Sequence, residues 1–140
     1  MIRTYKEQDL TAVMQLWLSA NIDAHSFIPA DYWKSQYETV KRLIPQADVY
    51  LFETEGIING FIGIVDAYIA GIFVNKNERS AGIGTALLNV AKANQDKLQL
   101  SVFTKNEAAI RFYLNAGFQM EENHIDTATK EEEYLMIWKR

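Results

Sequence analysis

Cysteine is absent from the 140 residues, and proline and histidine occur only twice each. Without cysteine the chain has no disulfide, no zinc–thiolate site and no thiol nucleophile. No apolar run approaches the roughly 18 residues that a transmembrane helix needs, and the first residues lack the apolar core of a signal peptide. We therefore expect a cytoplasmic protein with no membrane partner.

Positive charge is also in short supply. The 14 Lys and Arg residues are outnumbered by 18 Asp and Glu residues, and they form no basic cluster. This balance argues against nucleic acid as a partner and suits a cationic substrate such as an amine. Apolar residues make up 49% of the chain, which is enough for a folded core, so we expect a single domain over residues 1–140.

The glycines are few, but two of them stand at an informative place. Residues 68–74 are rich in strand-forming side chains, residues 75–80 are polar, and a helical pattern begins near Gly82 and Gly84. The first amide groups of a helix have no partner within it, and a glycine lets a phosphate approach them closely. Arg79 adds a guanidinium that can bind two phosphate oxygens at once. This stretch therefore predicts a pyrophosphate cradle.

Other readings of the same stretch fit it less well. A Rossmann fingerprint needs a third glycine where Leu87 stands. A Walker loop needs Gly-Lys followed by Ser or Thr, whereas this helix opens with Gly84-Thr85. The remaining alternative is a helix start with two flexible residues and no ligand.

Strand and helix patterns alternate along the whole chain in the order β-α-α-β-β-β-α-β-α-β-β. This order indicates an α/β (α+β) fold with a central mixed sheet of about seven strands and about four helices. The helix from Gly82 joins the fourth and fifth strands, so these two are expected to be parallel. The predicted strands are residues 2–5, 49–54, 57–65, 68–74, 98–103, 118–124 and 134–138, and the predicted helices are residues 7–21, 29–43, 82–96 and 106–116. The acidic stretch 126–133 is predicted to be a solvated loop.

Residues 106–118 carry a second ordered motif. They read Asn-Glu-Ala-Ala-Ile-Arg-Phe-Tyr-Leu-Asn-Ala-Gly-Phe and predict a helix that is capped by Asn106 and ended by Gly117. The run resembles Asn-x-x-Ala-x-x-Phe-Tyr-x-x-x-Gly-Phe, a signature of the GNAT N-acetyltransferase superfamily. The spacing Arg79-x-x-Gly82-x-Gly84 resembles the acetyl-CoA motif of the same family. Both motifs stand in the family order, and the chain is similar over most of its length to small single-domain bacterial members.

The resemblance implies an acetyl-CoA site between the fourth and fifth strands, which splay apart in this family. The pantetheine arm is expected to pair with the backbone near Ile72, Phe73 and Val74, and Asn106 is expected to contact it. Ser80 and Ala81 depart from the glycine or basic residues of many members, which weakens the case for extra phosphate contacts there. The residues implied to hold the pyrophosphate are Arg79, Ser80, Ala81, Gly82, Ile83, Gly84 and Thr85. The resemblance implies no metal.

Candidate catalytic residues also follow from the resemblance, which implies that the Tyr113 hydroxyl contacts the cofactor near its sulfur. A phenol of pKa about 10 is a weak acid toward the thiolate of a thiol of pKa about 8.5, so Tyr113 is expected to donate a hydrogen bond as much as a proton. His25 is the candidate general base, because its intrinsic pKa lies near neutrality and family members use this loop around the acceptor. Asp23, Glu53, Asp66 and proton transfer through water remain alternatives.

Three aromatic residues near the second helix are candidates for the wall of the acceptor site: Phe27, Tyr32 and Trp33. Packing of this helix on the sheet explains them equally well. His124 is expected to be structural. Attraction of a cationic acceptor is the alternative role for Glu131, Glu132 and Glu133, for which a solvated loop is the preferred interpretation.

Together these features predict an N-acetyltransferase that moves an acetyl group from acetyl-CoA directly to a primary amine in a ternary complex. The acceptor is left open between a protein lysine, an N-terminal amine and a small-molecule amine. The alternatives are a family member that uses another acyl-CoA and a non-catalytic acyl-CoA-binding regulatory module. A monomer or a homodimer is expected, with the last strand exposed and able to pair with a second copy.

Overall fold

Seven strands form one sheet in the order β1-β2-β3-β4-β5-β7-β6. The structure is a computed structural model that describes residues 1–79 and 81–140. The strands are β1 (Ile2–Thr4), β2 (Asp48–Thr54), β3 (Ile57–Val65), β4 (Tyr68–Val74), β5 (Lys97–Phe103), β6 (Gln119–Ile125) and β7 (Glu132–Lys139). The helices are α1 (Leu10–Ala24), α2 (Ala30–Leu43), α3 (Ile83–Asn94) and α4 (Glu107–Asn115), with 3-10 turns at Glu7–Asp9, Ile44–Gln46 and Lys76–Glu78. The predicted fold class, strand number and helix number are confirmed.

Two hydrophobic cores lie on opposite faces of this sheet. On one face α1 and α2 pack on β2 and β3, with Trp17 of α1 meeting Trp33 of α2 edge to face at 6.1 Å between ring centroids. On the other face α3 and α4 pack on β3, β4, β5 and β7 through fully buried side chains such as Leu87 and Met136. Any opening through the sheet therefore connects the α1–α2 side with the α3–α4 side.

Such an opening exists between β4 and β5. These strands run parallel, as predicted, and the one Cα register pair that joins their described residues is Tyr68 with Gln99. A further backbone bond, from the Gln99 amide to the Ala67 carbonyl at 2.9 Å, lies at the same end. Beyond this point the strands separate and leave a wedge between residues 70–74 and 101–103. Backbone groups along the wedge are thus available to a ligand.

The ends of several elements differ from the prediction, and two differences matter for the site. The loop before β7 is shorter than expected, because Asp126 bonds back to the Glu131 carbonyl at 2.8 Å and closes a tight turn. Glu132 and Glu133 consequently belong to β7 rather than to a solvated loop. The expectation of an exposed last strand was wrong, since β7 pairs with β5 and β6, and the edge strand at this end of the sheet is β6.

None of the helices in the described part of the chain is both long and apolar enough to cross a membrane.

Candidate active site

A cavity of about 1040 Å³ occupies the wedge between β4 and β5. Its walls come from both strands, from α3 and α4 on one side, and from the end of α1 and the start of α2 on the other. Most of the residues singled out from the sequence line it, and these are His25, Tyr32, Trp33, Ile72, Phe73, Val74, Arg79, Gly82, Ile83, Gly84, Thr85, Asn106 and Tyr113. Among the described candidates, Phe27 and Ala81 are not on its lining, and Ser80 lies outside the described residues.

The start of α3 forms one end of the cavity. Gly82 caps the helix in the left-handed region, with φ 81°, and a Cβ atom there would meet nothing within 4 Å. Ala86 donates to the Gly82 carbonyl at 3.0 Å, so the amides of the preceding residues Ile83, Gly84 and Thr85 come before the helical hydrogen bonds begin. The helix dipole adds positive potential at this point. An anion can therefore reach the open N–H groups.

Arg79 stands beside this helix start, but its charge is not free. Its Nη2 lies 2.6 Å from Oδ2 of Asp23, at the end of α1, and Lys76 Nζ lies 3.7 Å from the other oxygen of the same carboxylate. Asp23 is a candidate base in the sequence, and in the structure its single carboxylate is shared between the two cations Arg79 and Lys76.

The middle of the cavity is the edge of β4. Ile72, Phe73 and Val74 are half-buried there. The Phe73 ring lies where a Cβ on Gly71 would stand and stacks on Phe61 at 4.8 Å between centroids. Gly71 is therefore needed for Phe73 to lie flat along the α1–α2 face of the strand.

Tyr113 approaches the cavity from α4. It is 9% exposed and packs edge to face against Phe112 and Phe118. Burial raises the pKa of Tyr113 well above its usual range, with Tyr68 adding to the rise. The phenol thus keeps its proton over the whole ordinary pH range and is able to donate a hydrogen bond.

Asn106 and His25 join the two sides of the wedge. Asn106 caps α4 by accepting the Ala109 amide at Oδ1, so the amide nitrogen of Asn106 is the atom that faces His25 Nε2, at 3.3 Å. A donor there makes Nε2 the acceptor, and the neutral ring then carries its proton on Nδ1. Within the described chain, Nδ1 is buried without a hydrogen-bond partner.

The His25 ring sits in an aromatic box. The rings of Phe103, Trp33 and Phe27 lie 5.0, 5.3 and 5.8 Å away between centroids. Burial lowers the pKa of His25 to about 4. The ring is therefore neutral near pH 7, and its acceptor nitrogen is already engaged.

Of the other base candidates, Asp23 lines the cavity but is paired with Arg79, whereas the remaining two lie elsewhere. Glu53 on β2 is paired with Arg3, and Asp66 belongs to the turn between β3 and β4. Neither lines the cavity among its described residues. Phe27 lies behind the wall, against His25 and Phe103.

Two carboxylates from the stretch that was predicted to be a solvated loop line the α1–α2 side of the cavity, namely Asp126 and Glu133. Burial raises the pKa of Tyr32, and the charges of Asp126 and Glu133 raise it further. Both carboxylates therefore lie close to the Tyr32 hydroxyl. The alternation of side chains along β7 could have indicated the direction of Glu133, because Glu133 falls on the same face of the strand as Leu135 and Ile137. Within residues 1–79 and 81–140, no group of three or more His, Asp or Glu side chains is arranged to hold a metal ion.

Comparison with known protein sequences identifies a matching family and a related enzyme. A family profile described as "Acetyltransferase (GNAT) domain" matches residues 45–120. Over 140 residues the chain is 32% identical to the peptidyl-lysine N-acetyltransferase YiaC of Escherichia coli (strain K12), with 99% of this chain and 93% of that protein covered.

Solved structures share the fold. The solution structure of apo-form YjaB from Escherichia coli matches with a TM-score of 0.86 at 20% identity, covering 99% of this chain and 96% of that chain. The PaiA N-acetyltransferase from Thermoplasma acidophilum, solved in complex with coenzyme A, matches with a TM-score of 0.81 at 18% identity, covering 100% and 98%.

Proposed function

The chain belongs to the GNAT N-acetyltransferase family, and on that premise we propose that it transfers the acetyl group of acetyl-CoA directly to the amine of a peptidyl lysine. The choice of acceptor is supported by the similarity to YiaC, which is named a peptidyl-lysine N-acetyltransferase. The donor is supported by the structural likeness to an N-acetyltransferase solved with coenzyme A. We propose that residues 1–140 form one acetyltransferase domain. A cytoplasmic location is proposed as well, because the reaction consumes a cytoplasmic co-substrate.

One observation carries the proposal. A single continuous cavity runs from the open N–H groups of α3, past the unpaired edge of β4 and Tyr113, to an acidic and aromatic end. The first part suits a pyrophosphate, the second an extended amide-containing arm, and the third a cationic amine. These are the three chemical features that an acetyl transfer from acetyl-CoA to lysine has to accommodate.

The donor is proposed to bind through backbone more than through side chains. The amides at Ile83, Gly84 and Thr85 would hold the pyrophosphate, and the free edge of Ile72–Val74 would pair with the pantetheine amides. The space open beside Gly82 supports this assignment, because a Cβ on this residue would meet no other atom within 4 Å. Acetyl-CoA supplies an activated acyl group with a thiolate as leaving group.

Tyr113 is proposed to stabilise the leaving sulfur. Its raised pKa makes complete proton transfer to a thiolate unfavourable, so the hydroxyl acts by donating a hydrogen bond to the charge that develops on sulfur. Such an interaction exists mainly in the transition state.

His25 is proposed to position Asn106 rather than to accept the amine proton. A neutral imidazole with a pKa of about 4 and an occupied Nε2 is a poor base near neutrality. The ring links the loop after α1 with the cap of α4, so it aligns the acceptor side of the cavity with the donor side.

Direct transfer is proposed because the chain has no cysteine to form a thioester with the acetyl group. Initial rates of thiol release, measured over a grid of acetyl-CoA and lysine-peptide concentrations, test this step. A ternary mechanism predicts double-reciprocal lines that intersect, whereas parallel lines would indicate an acetyl-enzyme and refute direct transfer.

A further inference from the structure

Glu133 is a carboxylate at the acceptor end of the cavity, and the sheet fixes its direction. It lies on β7 opposite Phe103 of β5 and opposite His124 of β6. Side chains that pair across neighbouring strands project from the same face of a sheet. Phe103 packs against His25 on the α1–α2 side, so Glu133 projects to that side as well, where it lines the cavity.

His124 holds one oxygen of this carboxylate. Its Nε2 lies 3.0 Å from Oε1 of Glu133, and the described residues offer no hydrogen bond to Oε2. The Glu133 side chain is 16% exposed, so it is shielded from bulk water yet open to the cavity. Oε2 is therefore the oxygen that a bound amine can reach.

Building on the proposed function, we propose that Glu133 is the catalytic residue that takes a proton from the acceptor ammonium, and that His124 is the positioning residue that holds it. The ammonium gives one proton to Oε2, and the freed lone pair forms the C–N bond to the acetyl carbon. The C–S bond breaks with its electron pair on sulfur. A second proton moves from nitrogen to sulfur, which leaves an amide and a thiol, and Glu133 returns its proton to solvent.

The electrostatic surroundings of Glu133 support this role. Burial raises the pKa of Glu133, the His124 hydrogen bond opposes the rise, and Asp126 adds to it. A carboxylate of raised pKa is a stronger base than an ordinary one, and the pair with Asp126 attracts a cation. His124 and Asp126 act on the pKa of Glu133, and Glu133 acts on the pKa of Tyr32. His25 lines the same cavity, and Lys105 lies over the Phe27 ring. Lys105 is itself paired with Glu131 at 2.9 Å.

The first test uses two small acceptors, Nα-acetyl-lysine methylamide and its thialysine counterpart, whose amine is less basic. For the lysine probe, Glu133→Gln should lower kcat/KM on the order of a hundredfold, the size of a general-base contribution. The loss should be smaller for the thialysine probe, because less help is needed to deprotonate it. Glu132→Gln is the matched control, since Glu132 neighbours Glu133 on β7 but projects from the other face and is exposed. It should leave kcat/KM unchanged.

The second test is the pH profile of kcat/KM, which falls on the acid side as the base becomes protonated. His124→Phe removes the hydrogen bond that lowers the pKa of Glu133, so the acid limb should move to higher pH. His124→Gln keeps an N–H donor, so the pH profile of this variant should match that of the wild type. A residue with a structural role alone would not shift this limb, and these variants keep the test decisive if Glu133→Gln does not fold.

Two results would overturn the assignment while the proposed function stands. One is an active wild-type enzyme for which Glu133→Gln and Glu132→Gln have equal kcat/KM. The other is an acid limb that is the same in His124→Phe as in the wild type. If the wild-type protein releases no thiol with either probe, lysine acetylation itself fails, and the assignment fails with it.

Discussion

The carboxylate of Asp23 forms a salt bridge with the guanidinium of Arg79, with 2.6 Å between Oδ2 of Asp23 and Nη2 of Arg79. Asp23 lies at the end of α1, on the acceptor side, whereas Arg79 precedes α3 on the donor side. A pyrophosphate that uses Arg79 has to compete with this carboxylate. The ion pair therefore links the state of the acceptor loop to the affinity for the donor.

Replacing Asp23 with Asn should consequently tighten CoA binding. The Arg79 and Asp23 side chains are 46% and 30% exposed, and an exposed pair contributes at most about 1 kcal/mol, so a two- to fivefold lower Kd is expected, roughly. Calorimetric titration with CoA measures the change. Asp48→Asn, an exposed site at the start of β2 with the same charge change, is the control. Weaker binding by Asp23→Asn would instead mean that Asp23 holds Arg79 in its binding position.

Tyr113→Phe should damage catalysis and spare binding. The ring and its packing against Phe112 and Phe118 remain, and only the hydroxyl is lost. Since the hydroxyl is expected to donate a hydrogen bond rather than transfer its proton fully, kcat should fall by about a hundredfold, the lower end of the general-acid range. The CoA dissociation constant and the melting temperature should stay close to wild type.

A fall in melting temperature along with activity would make Tyr113 a core residue instead. Near wild-type turnover would remove the hydroxyl from the mechanism.

Gly82 variants separate backbone strain from ligand exclusion. Asn tolerates the left-handed φ of this residue, whereas the β-branched Val does not. Both side chains would stand in the open space beside the start of α3, so both should weaken CoA binding at least about tenfold. Only Gly82→Val should also lower the melting temperature of the unliganded protein.

The matched control for Gly82→Asn is Gly56→Asn. Gly56 has φ 79° in the β2–β3 turn, and a Cβ there also meets nothing within 4 Å. CoA at a hundred times its Kd should stabilise this control and the wild type alike, by about 2.7 kcal/mol. Unchanged CoA affinity in Gly82→Asn would show that the phosphates bind elsewhere.

The local structure of the end of the cavity proposed for the donor was predictable because its signals are local. The turn from β4 to α3 depends on Gly82 and on the polarity of residues 75–80, and the cap of α4 depends on Asn106. Both are short-range effects that the sequence shows directly. The parallel β4–β5 pair follows from the single helix that connects the two strands.

The acceptor half was less predictable because it depends on tertiary contacts. The burial of His25 requires rings from Trp33 and Phe103, which are far apart in the chain. The sequence predicts Glu133 in a loop, but β7 begins two residues earlier than predicted and includes it. The position of Glu133 in the strand then decides which side of the sheet its side chain faces. The Asp23–Arg79 pair joins elements whose relative position no local pattern reveals.

Acid should weaken the fold through Asp9, which accepts two hydrogen bonds from Arg3 and one from the Lys6 amide. The hydrogen bonds from Arg3 hold the pKa of Asp9 below its usual range. A lowered folded-state pKa adds stability that is complete above the unfolded-state pKa of about 3.9 and is lost as the pH falls through the folded-state pKa.

Asp9→Asn should therefore lower the free energy of unfolding by about 1.5–3 kcal/mol at neutral pH, the range for hydrogen bonds to charged groups. The difference from wild type should shrink below about pH 4. Urea unfolding at a series of pH values measures both effects, with Asp48→Asn as the control for an exposed carboxylate. A difference that is constant across the acid range would exclude the Asp9 carboxylate as the titrating group.

The most direct measurement of the central claim is the mass of a peptide after incubation with the protein and acetyl-CoA. The experiment compares two peptides with blocked N-termini. They differ only at one position, which is lysine in one peptide and arginine in the other. We expect the lysine peptide to gain one acetyl group for each thiol released, and the arginine peptide to gain none. A protein that CoA stabilises against heat but that acetylates neither peptide would contradict the account and would indicate an acyl-CoA-binding module.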